Sequence, residues 1–243
     1  MKFAYIIPFS YSDEHRFLNL QTIISYYKPL NIDIYIIEQG SSHNTKLDEL
    51  GVNIIFYKND KMFNKSKGNN FAYSKLKLKY DILIYGDSDL ILNITDMSTI
   101  LINYKNGKLS GIVSPYDGKL LYLTETQVIS FRNNISFDYT GDYLNVYQPF
   151  GGVFFIPTEM YSQMKGFDEN FIGYGGEDDA MKWKAKHLNI KVNMLDFVAY
   201  HMWHPRNKQV NYMECAKRNR TYLIDNYYNK DKFMPFFEKM KTL

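Results

Sequence analysis

The 243 residues contain a single cysteine, Cys215. One thiol closes no internal disulfide and builds no cysteine-based zinc site, and a reducing compartment is the expectation. Tryptophan (2) and proline (7) are sparse. No apolar run approaches the ~20 residues that span a bilayer. The best N-terminal candidate, Phe3-Ala4-Tyr5-Ile6-Ile7, is too short for a signal-peptide core and reads as a strand. Neither sign of charge dominates: 29 Lys+Arg against 26 Asp+Glu leave +3, too little to mark a nucleic-acid binder. Aromatic residues, in contrast, are abundant at 17%, with 22 Tyr and 17 Phe. Such rings can stack on sugars or bases, but an AT-rich coding composition accounts for most of them.

Hydrophobic residues at 45% and charged residues at 23% are ordinary for a soluble globular chain. The length suits one large domain or two small ones. The first half alternates strand and helix. Strands are predicted at Lys2–Pro8, Ile32–Ile37, Val52–Tyr57 and Asp81–Tyr85. Helices are predicted at Asp13–Tyr27, with Phe17, Leu20, Ile23 and Ile24 on one stripe, and at Ser66–Leu78. This order implies βαβ units and a mainly parallel sheet, whose ligands bind at the carboxyl ends of the strands. Further on, the pattern predicts a helix at Thr95–Tyr104, a strand at Leu109–Pro115 and loops with short strands over 116–148. A strand follows at Phe150–Ile156, then a helix at Gly176–His187, a strand at Ile190–Tyr200 and a helix at Val210–Asn226. No linker or repeat divides the chain.

Four segments could carry chemistry. Asp87-Ser88-Asp89 closes an apolar strand, and acids two apart there project to one side, as a divalent cation requires. The plainer account is a polar turn. Gly173-Tyr174-Gly175-Gly176-Glu177-Asp178-Asp179 puts three acids at a helix start behind a flexible loop. One acid would satisfy the helix dipole, whereas three could include a general base under a closing loop. His201 and His204 are candidate metal ligands. Residues three apart on a regular strand face opposite sides, so they share an ion only if the backbone turns. Phe63 to Asn70 opens a helix with two lysines, either an anion site or a solvated start capped by Ser66.

Five segments together resemble the GT-A glycosyltransferases, and specifically the β-1,4-galactosyltransferase group with its bacterial chondroitin-polymerase relatives. They are Ile6-Ile7-Pro8-Phe9 with Asp13-Glu14-His15; Ile34 to Gln39; Phe63-Asn64-Lys65-Ser66-Lys67; Asp87-Ser88-Asp89; and Phe150 to Asp179. His201-x-x-His204 follows, and the likeness spans residues 2 to about 207. It implies an α/β GT-A (Rossmann-like) fold with a mixed, mainly parallel central sheet flanked by helices. It also implies one domain over 1–243, with a nucleotide-binding half to about 115, an acceptor and catalytic half over about 116–207, and a helical segment at 208–243. The implied activity is inverting, metal-dependent transfer of a hexose or N-acetylhexosamine from a UDP-sugar to a glycan hydroxyl, with Mn²⁺ or another divalent cation. The alternative is an inactive nucleotide-sugar- or glycan-binding protein.

By the same resemblance Asp89, His204 and His201 would hold the metal, and Asp178 would be the general base, with Glu177 and Asp179 orienting hydroxyls. Pro8, Phe9, Phe63, Lys65, Asp87, Ser88, Gly152 and Tyr174 would line the donor, Asp87 at the ribose and Tyr174 in the closing loop. Arg16 is a candidate for the base, because Ser10-Tyr11-Ser12 supplies no arginine. Pro149 stands where relatives vary with donor sugar, which leaves galactose, N-acetylgalactosamine and glucose open. The Golgi relatives carry an anchor and stem that this sequence does not show, so a cytoplasmic enzyme is expected. Its acceptor would be a glycan or lipid-linked oligosaccharide. The tail from Tyr227 to Lys241, with Phe233, Met234, Phe236 and Phe237, either packs on the domain or lies peripherally on a membrane.

Overall fold

The computed structural model describes residues 1–139, 143–144, 150–206 and 211–243. The chain runs β1 (Phe3–Phe9), α1 (Glu14–Tyr27), β2 (Asp33–Gly40), β3 (Asn53–Lys58), α2 (Lys65–Leu76), β4 (Ile82–Gly86), β5 (Leu90–Leu92) and α3 (Ile94–Lys105). It continues through β6 (Ile112–Ser114), β7 (Leu120–Tyr122), α4 (Glu125–Asn133), β8 (Tyr143–Leu144), β9 (Val153–Pro157) and α5 (Thr158–Gln163). The last elements are α6 (Glu177–His187), β10 (Val192–Met194), β11 (Ala199–His201), α7 (Tyr212–Tyr227) and α8 (Lys230–Lys239).

Seven strands form the main sheet in the order β10-β6-β9-β4-β1-β2-β3. Only β9 runs antiparallel to its neighbours, β4 and β6; the other pairs are parallel. The sheet is therefore mixed and mainly parallel, as expected. Every residue of β1 is buried, which explains its unbroken apolar run: a central parallel strand is covered on both faces. Alternate side chains serve the two sides. Tyr5 and Ile7 join Phe17, Leu20, Ile23 and Ile24 of α1, while Ala4 and Ile6 join Ala72, Tyr73 and Leu76 of α2. Asp13 caps α1 by accepting from the Arg16 amide at 2.9 Å.

The second half departs from expectation in identifiable ways. The strand predicted over Ile190–Tyr200 is two strands in different sheets. β10 extends the main sheet beside β6, and β11 belongs to a four-stranded sheet of order β5-β11-β7-β8. Between them the Leu195, Phe197 and Ala199 amides donate in turn to the Ser114, Pro115 and Lys119 carbonyls, which guides the chain from one sheet to the other. The loop reading of 116–148 missed α4, whose Thr124-x-x-Gln127 capping box is formed. The cap of α2 is Asn64, whose side chain accepts from the Lys67 amide; Ser66 is buried instead. Pro149 and Val210, the first residue of the helix predicted over 210–226, lie outside the described residues.

The tail packs on the protein. Phe233 and Phe237 of α8 are buried with Phe171, Leu223 and Tyr227, and Met234 and Phe236 pack against that cluster. Lys165 Nζ donates to the carbonyls of Phe237 (2.9 Å), Glu238 (3.1 Å) and Met240 (3.1 Å) at the end of α8, which suits a cation at a helix C-terminus. No helix among the described residues is long and apolar enough to cross a membrane. Phe233→Ala should lower the unfolding free energy by roughly 3–5 kcal/mol, the usual range for a buried phenylalanine. Chemical denaturation checks this, and a loss below about 1 kcal/mol would show that α8 is not part of the cooperative core.

Candidate active site

The carboxyl ends of β1, β2 and β4 converge on one cluster. Gln39, at the end of β2, uses its amide oxygen to accept from the Asn64 amide at 3.1 Å and its amide nitrogen to donate to the Asn64 carbonyl at 2.9 Å. That clasp fixes the first turn of α2 and so places Lys65. The Lys65 ammonium lies 2.8 Å from Asp87 Oδ1, 2.9 Å from Asp178 Oδ2 and 3.9 Å from Glu177 Oε1. Burial would lower this ammonium's pKa, but Asp178, Asp87 and Glu177 together hold it well above the ordinary lysine value.

One cation cannot neutralise three acids. Burial, the largest influence, raises the Asp178 carboxyl; Lys65 opposes it, and the neighbouring Glu177 and Asp87 add to it, pushing the group up to about 8. Glu177 is raised by burial too. Asp178 Oδ1 is buried with no hydrogen-bond partner among the described residues, so this oxygen is free to accept a hydrogen bond. Gly151 makes room for this carboxyl. Its φ is +129°, and a Cβ there would sit 2.2 Å from Asp178 Oδ2, so glycine is required on both counts. The next carbonyl, of Gly152, accepts from the Asp87 amide at 2.7 Å, and Tyr116 Oη donates to the Gly151 carbonyl at 2.9 Å. The Gly-Gly strap thus ties the Asp87 turn to the start of α6.

A second cluster lies two residues beyond Asp87. Asp89 is buried, and its carbonyl accepts from the Met202 amide at 2.7 Å, continuing the pairing of Leu90 with His201 between β5 and β11. After His201 the chain turns, which removes the strand-geometry objection. Asn19 of α1, fully buried in the midst of the apolar stripe, donates to the carbonyls of Met202 (3.4 Å) and Trp203 (3.2 Å). Arg132 of α4 grips the Asn19 oxygen at 2.5 Å. The turn brings His204 Nε2 to 3.1 Å from Asp89 Oδ2, with His201 Nε2 3.8 Å from Oδ1. His204 Nδ1 donates to the Pro205 carbonyl at 3.0 Å, which orients Nε2 inward as in metal-bound imidazoles.

Ligand atoms of Asp89, His201 and His204 all lie within 4.8 Å of one another. One carboxylate with two imidazoles fits a divalent ion such as Mn²⁺, which would accept further oxygen ligands as well. Burial would raise the Asp89 carboxyl, but His201, His204 and Arg16 overcome it and hold the group well below the usual carboxylate range.

The remaining candidates fall in varied places. Ser88 is buried in the turn between the two acids. Pro8 is buried at the end of β1, and the Phe9 ring belongs to the core beneath the site, so only its backbone can face a ligand. Phe63 is half-buried ahead of α2. Asp179 is exposed and answers to Lys182 and Arg220, off the Lys65 cluster. Tyr174 is 57% exposed, on a loop whose carbonyls at Ile172, Tyr174 and Gly175 all accept from Asn219 Nδ2. Arg16 meets Asp89 Oδ2 with Nη1 at 3.4 Å, which places it at the histidine centre. Sequence reasoning missed Asn19, Arg132 and Asn219; a lone asparagine inside the α1 stripe was the available signal. A cleft of about 640 Å³ bounded by Lys2, Asn31, Leu78 and Tyr80 lies at the opposite end of the sheet, away from both clusters.

A family model described as the N-terminal domain of galactosyltransferase matches residues 132–207, a stretch that contains the Gly-Gly strap, the acidic helix start and both histidines. Mouse β-1,4-galactosyltransferase 1 is 25% identical over 200 residues, covering 79% of this chain and 38% of that protein. Chinese hamster (Cricetulus griseus) β-1,4-galactosyltransferase 4 is 26% identical over 150 residues, covering 60% and 36%. The chain thus spans well under half the length of these curated relatives. Among solved structures, glucosyl-3-phosphoglycerate synthase from Mycobacterium tuberculosis, bound to Mn²⁺, UDP and glucosyl-3-phosphoglycerate, aligns with a TM-score of 0.58 at 14% identity, over 92% of this chain and 78% of that one. Drosophila β-1,4-galactosyltransferase 7 with manganese, UDP-Gal and xylobiose aligns at 0.53 and 19%, over 88% and 78%. The fold is that of the GT-A glycosyltransferases, and the sequence is similar to the β-1,4-galactosyltransferases.

The buried amide that shapes the histidine turn should matter to metal binding. Asn19→Ala is expected to weaken Mn²⁺ binding by about 10–100-fold, the usual effect of removing an outer-shell support. Electron paramagnetic resonance titration of free Mn²⁺ reads this directly, and an unaltered affinity would mean that the turn holds without its brace.

Proposed function

We propose that the chain is an inverting, metal-dependent glycosyltransferase that moves a hexose or N-acetylhexosamine from a UDP-sugar to a hydroxyl of a glycan acceptor. The observation that carries this reading is the pairing of two unlike acidic sites. Asp178 presents a buried, unpartnered oxygen on a carboxyl with a raised pKa, and Asp89 sits with two imidazoles two residues beyond Asp87, which shares Lys65 with Asp178. The similarity to β-1,4-galactosyltransferases supports it, as does the binding of UDP and Mn²⁺ by a protein of the same fold.

In this reading Asp89, His201 and His204 hold a divalent cation that supplies charge stabilisation for the departing nucleoside diphosphate. Asp87 takes a ribose hydroxyl, and Phe63 and the backbone at Pro8 and Phe9 line the nucleotide. Lys65, drawn toward the donor phosphates, releases Asp178. Asp178 Oδ1 accepts the proton of the acceptor hydroxyl as that oxygen attacks the anomeric carbon. The bond from that carbon to the diphosphate breaks, and UDP departs. Attack opposite the leaving group inverts the configuration. Tyr174 on its glycine-rich loop covers the sugar, and Glu177 orients its hydroxyls. A carboxyl pushed up to about 8 is well matched to this role, because a base works best near the ambient pH.

The test is release of UDP from UDP-Gal, UDP-GalNAc, UDP-Glc and UDP-GlcNAc with Mn²⁺, against EDTA controls. Metal-dependent release from one donor is expected; UDP binding without release from any would favour the inactive binding protein. Asp178→Asn should keep UDP and metal binding while turnover falls by at least ~100-fold. Normal turnover would place the base elsewhere. Since a general base acts only when ionised, kcat/KM should rise with pH through the region near 8 set by Asp178. A profile already flat from pH 5 upward would remove Asp178 from that role.

A further inference from the structure

Lys65 is a cation expected at the donor phosphates, yet in this structure it is committed to three carboxylates. Arg16 stands on the other side of the site, in the first turn of α1. The Asp13 cap holds the start of that helix, and Asp13 Oδ2 lies 3.7 Å from Arg16 Nε, which swings the guanidinium over the histidine centre. There Nη1 makes one long hydrogen bond, 3.4 Å, to Asp89 Oδ2. No other side-chain donor of Arg16 has a hydrogen-bond partner among the described residues, although the side chain is only 24% exposed. A guanidinium sunk this far normally spends its donors, and its planar fork matches phosphate oxygens two at a time.

The charge count points the same way. A divalent cation on Asp89 exceeds that carboxylate's charge, and Arg16, partly balanced by Asp13 at 3.7 Å, lies beside it. The net positive charge at this part-buried site favours an anionic ligand. We propose that Arg16 is a diphosphate-binding residue of this chain, gripping the phosphates of the nucleoside diphosphate from the α1 side of the metal centre. This inference rests on the nucleotide-sugar reading of the site. In the nucleotide-free protein Arg16 shares Asp89 with the histidines, and it turns its fork to the phosphates when they arrive.

The test uses binding alone. Calorimetry at saturating Mn²⁺ is run with UDP, UMP and inorganic pyrophosphate on wild type, Arg16→Gln and Arg16→Lys, with thermal melting as the folding control. Arg16→Gln should weaken UDP and pyrophosphate by about 10–100-fold, the worth of a charged hydrogen bond. Arg16→Lys should fall between, since it keeps the charge and loses the fork. Mn²⁺ affinity without nucleotide should stay level or tighten, because Asp89 loses a competing cation. UDP and pyrophosphate affinities within twofold of wild type in Arg16→Gln, or in Arg16→Lys should the first variant not fold, would overturn the proposal. So would failure of the wild type to bind either ligand. Arg16-dependent binding of pyrophosphate without binding of UDP would uphold the anion site and overturn the nucleotide reading instead.

Discussion

The site depends on one buried ammonium. Asp87 directly follows one strand of the sheet and Glu177 and Asp178 begin a helix, and without Lys65 their carboxylates would face each other across a part-buried space. Like charges at that separation in a poor dielectric are costly. Lys65 lets the strand end and the helix start approach, and it does so only because Gln39 clasps the backbone of Asn64 just before it. The compensation is incomplete. The deficit falls mainly on Asp178, whose raised pKa and unpartnered oxygen are what would be expected of a group kept ready for a proton.

The second cluster is assembled by the smaller sheet. The antiparallel pairing of β5 with β11 puts His201 opposite Leu90, one residue from Asp89, and the buried amide of Asn19 then bends the chain so that His204 returns to the same carboxylate. Helix α1 therefore serves three ends at once: its apolar stripe covers the main sheet, Asn19 shapes the ligand turn, and Arg16 faces Asp89. The two acids of Asp87-Ser88-Asp89 are consequently divided, one turned to Lys65 and the base, the other to the histidines. An aspartate pair two residues apart becomes two sites because different elements reach each member.

The rim follows from packing farther out. Asn219 holds three carbonyls of the glycine-rich loop from below, and the helix that carries it is backed by α8 through Tyr227, Phe233 and Phe237. Tyr174 is left with an exposed side chain on a loop whose backbone is tied at Ile172, Tyr174 and Gly175. The apolar face of the tail, which could equally have met a membrane, is occupied within the protein.

The strand and helix order of the first half was legible in the sequence, because a central parallel strand such as β1 is apolar throughout and α1 repeats its apolar residues at helical spacing. The acids, the histidines and the lysine were legible as well, since their clustering at strand ends and helix starts does not require knowing which face they share. What only the tertiary structure decided was their pairing. Lys65 and Asp178 are 113 residues apart, and nothing local fixes that one neutralises the other. The turn between His201 and His204 depends on an asparagine more than 180 residues away, whose sequence position marks it only as a polar residue in an apolar stripe. The division of 190–200 between two sheets was hidden for the same reason: local composition sets the tendency to be a strand, and the partner strand, chosen by packing, sets the sheet to which it belongs.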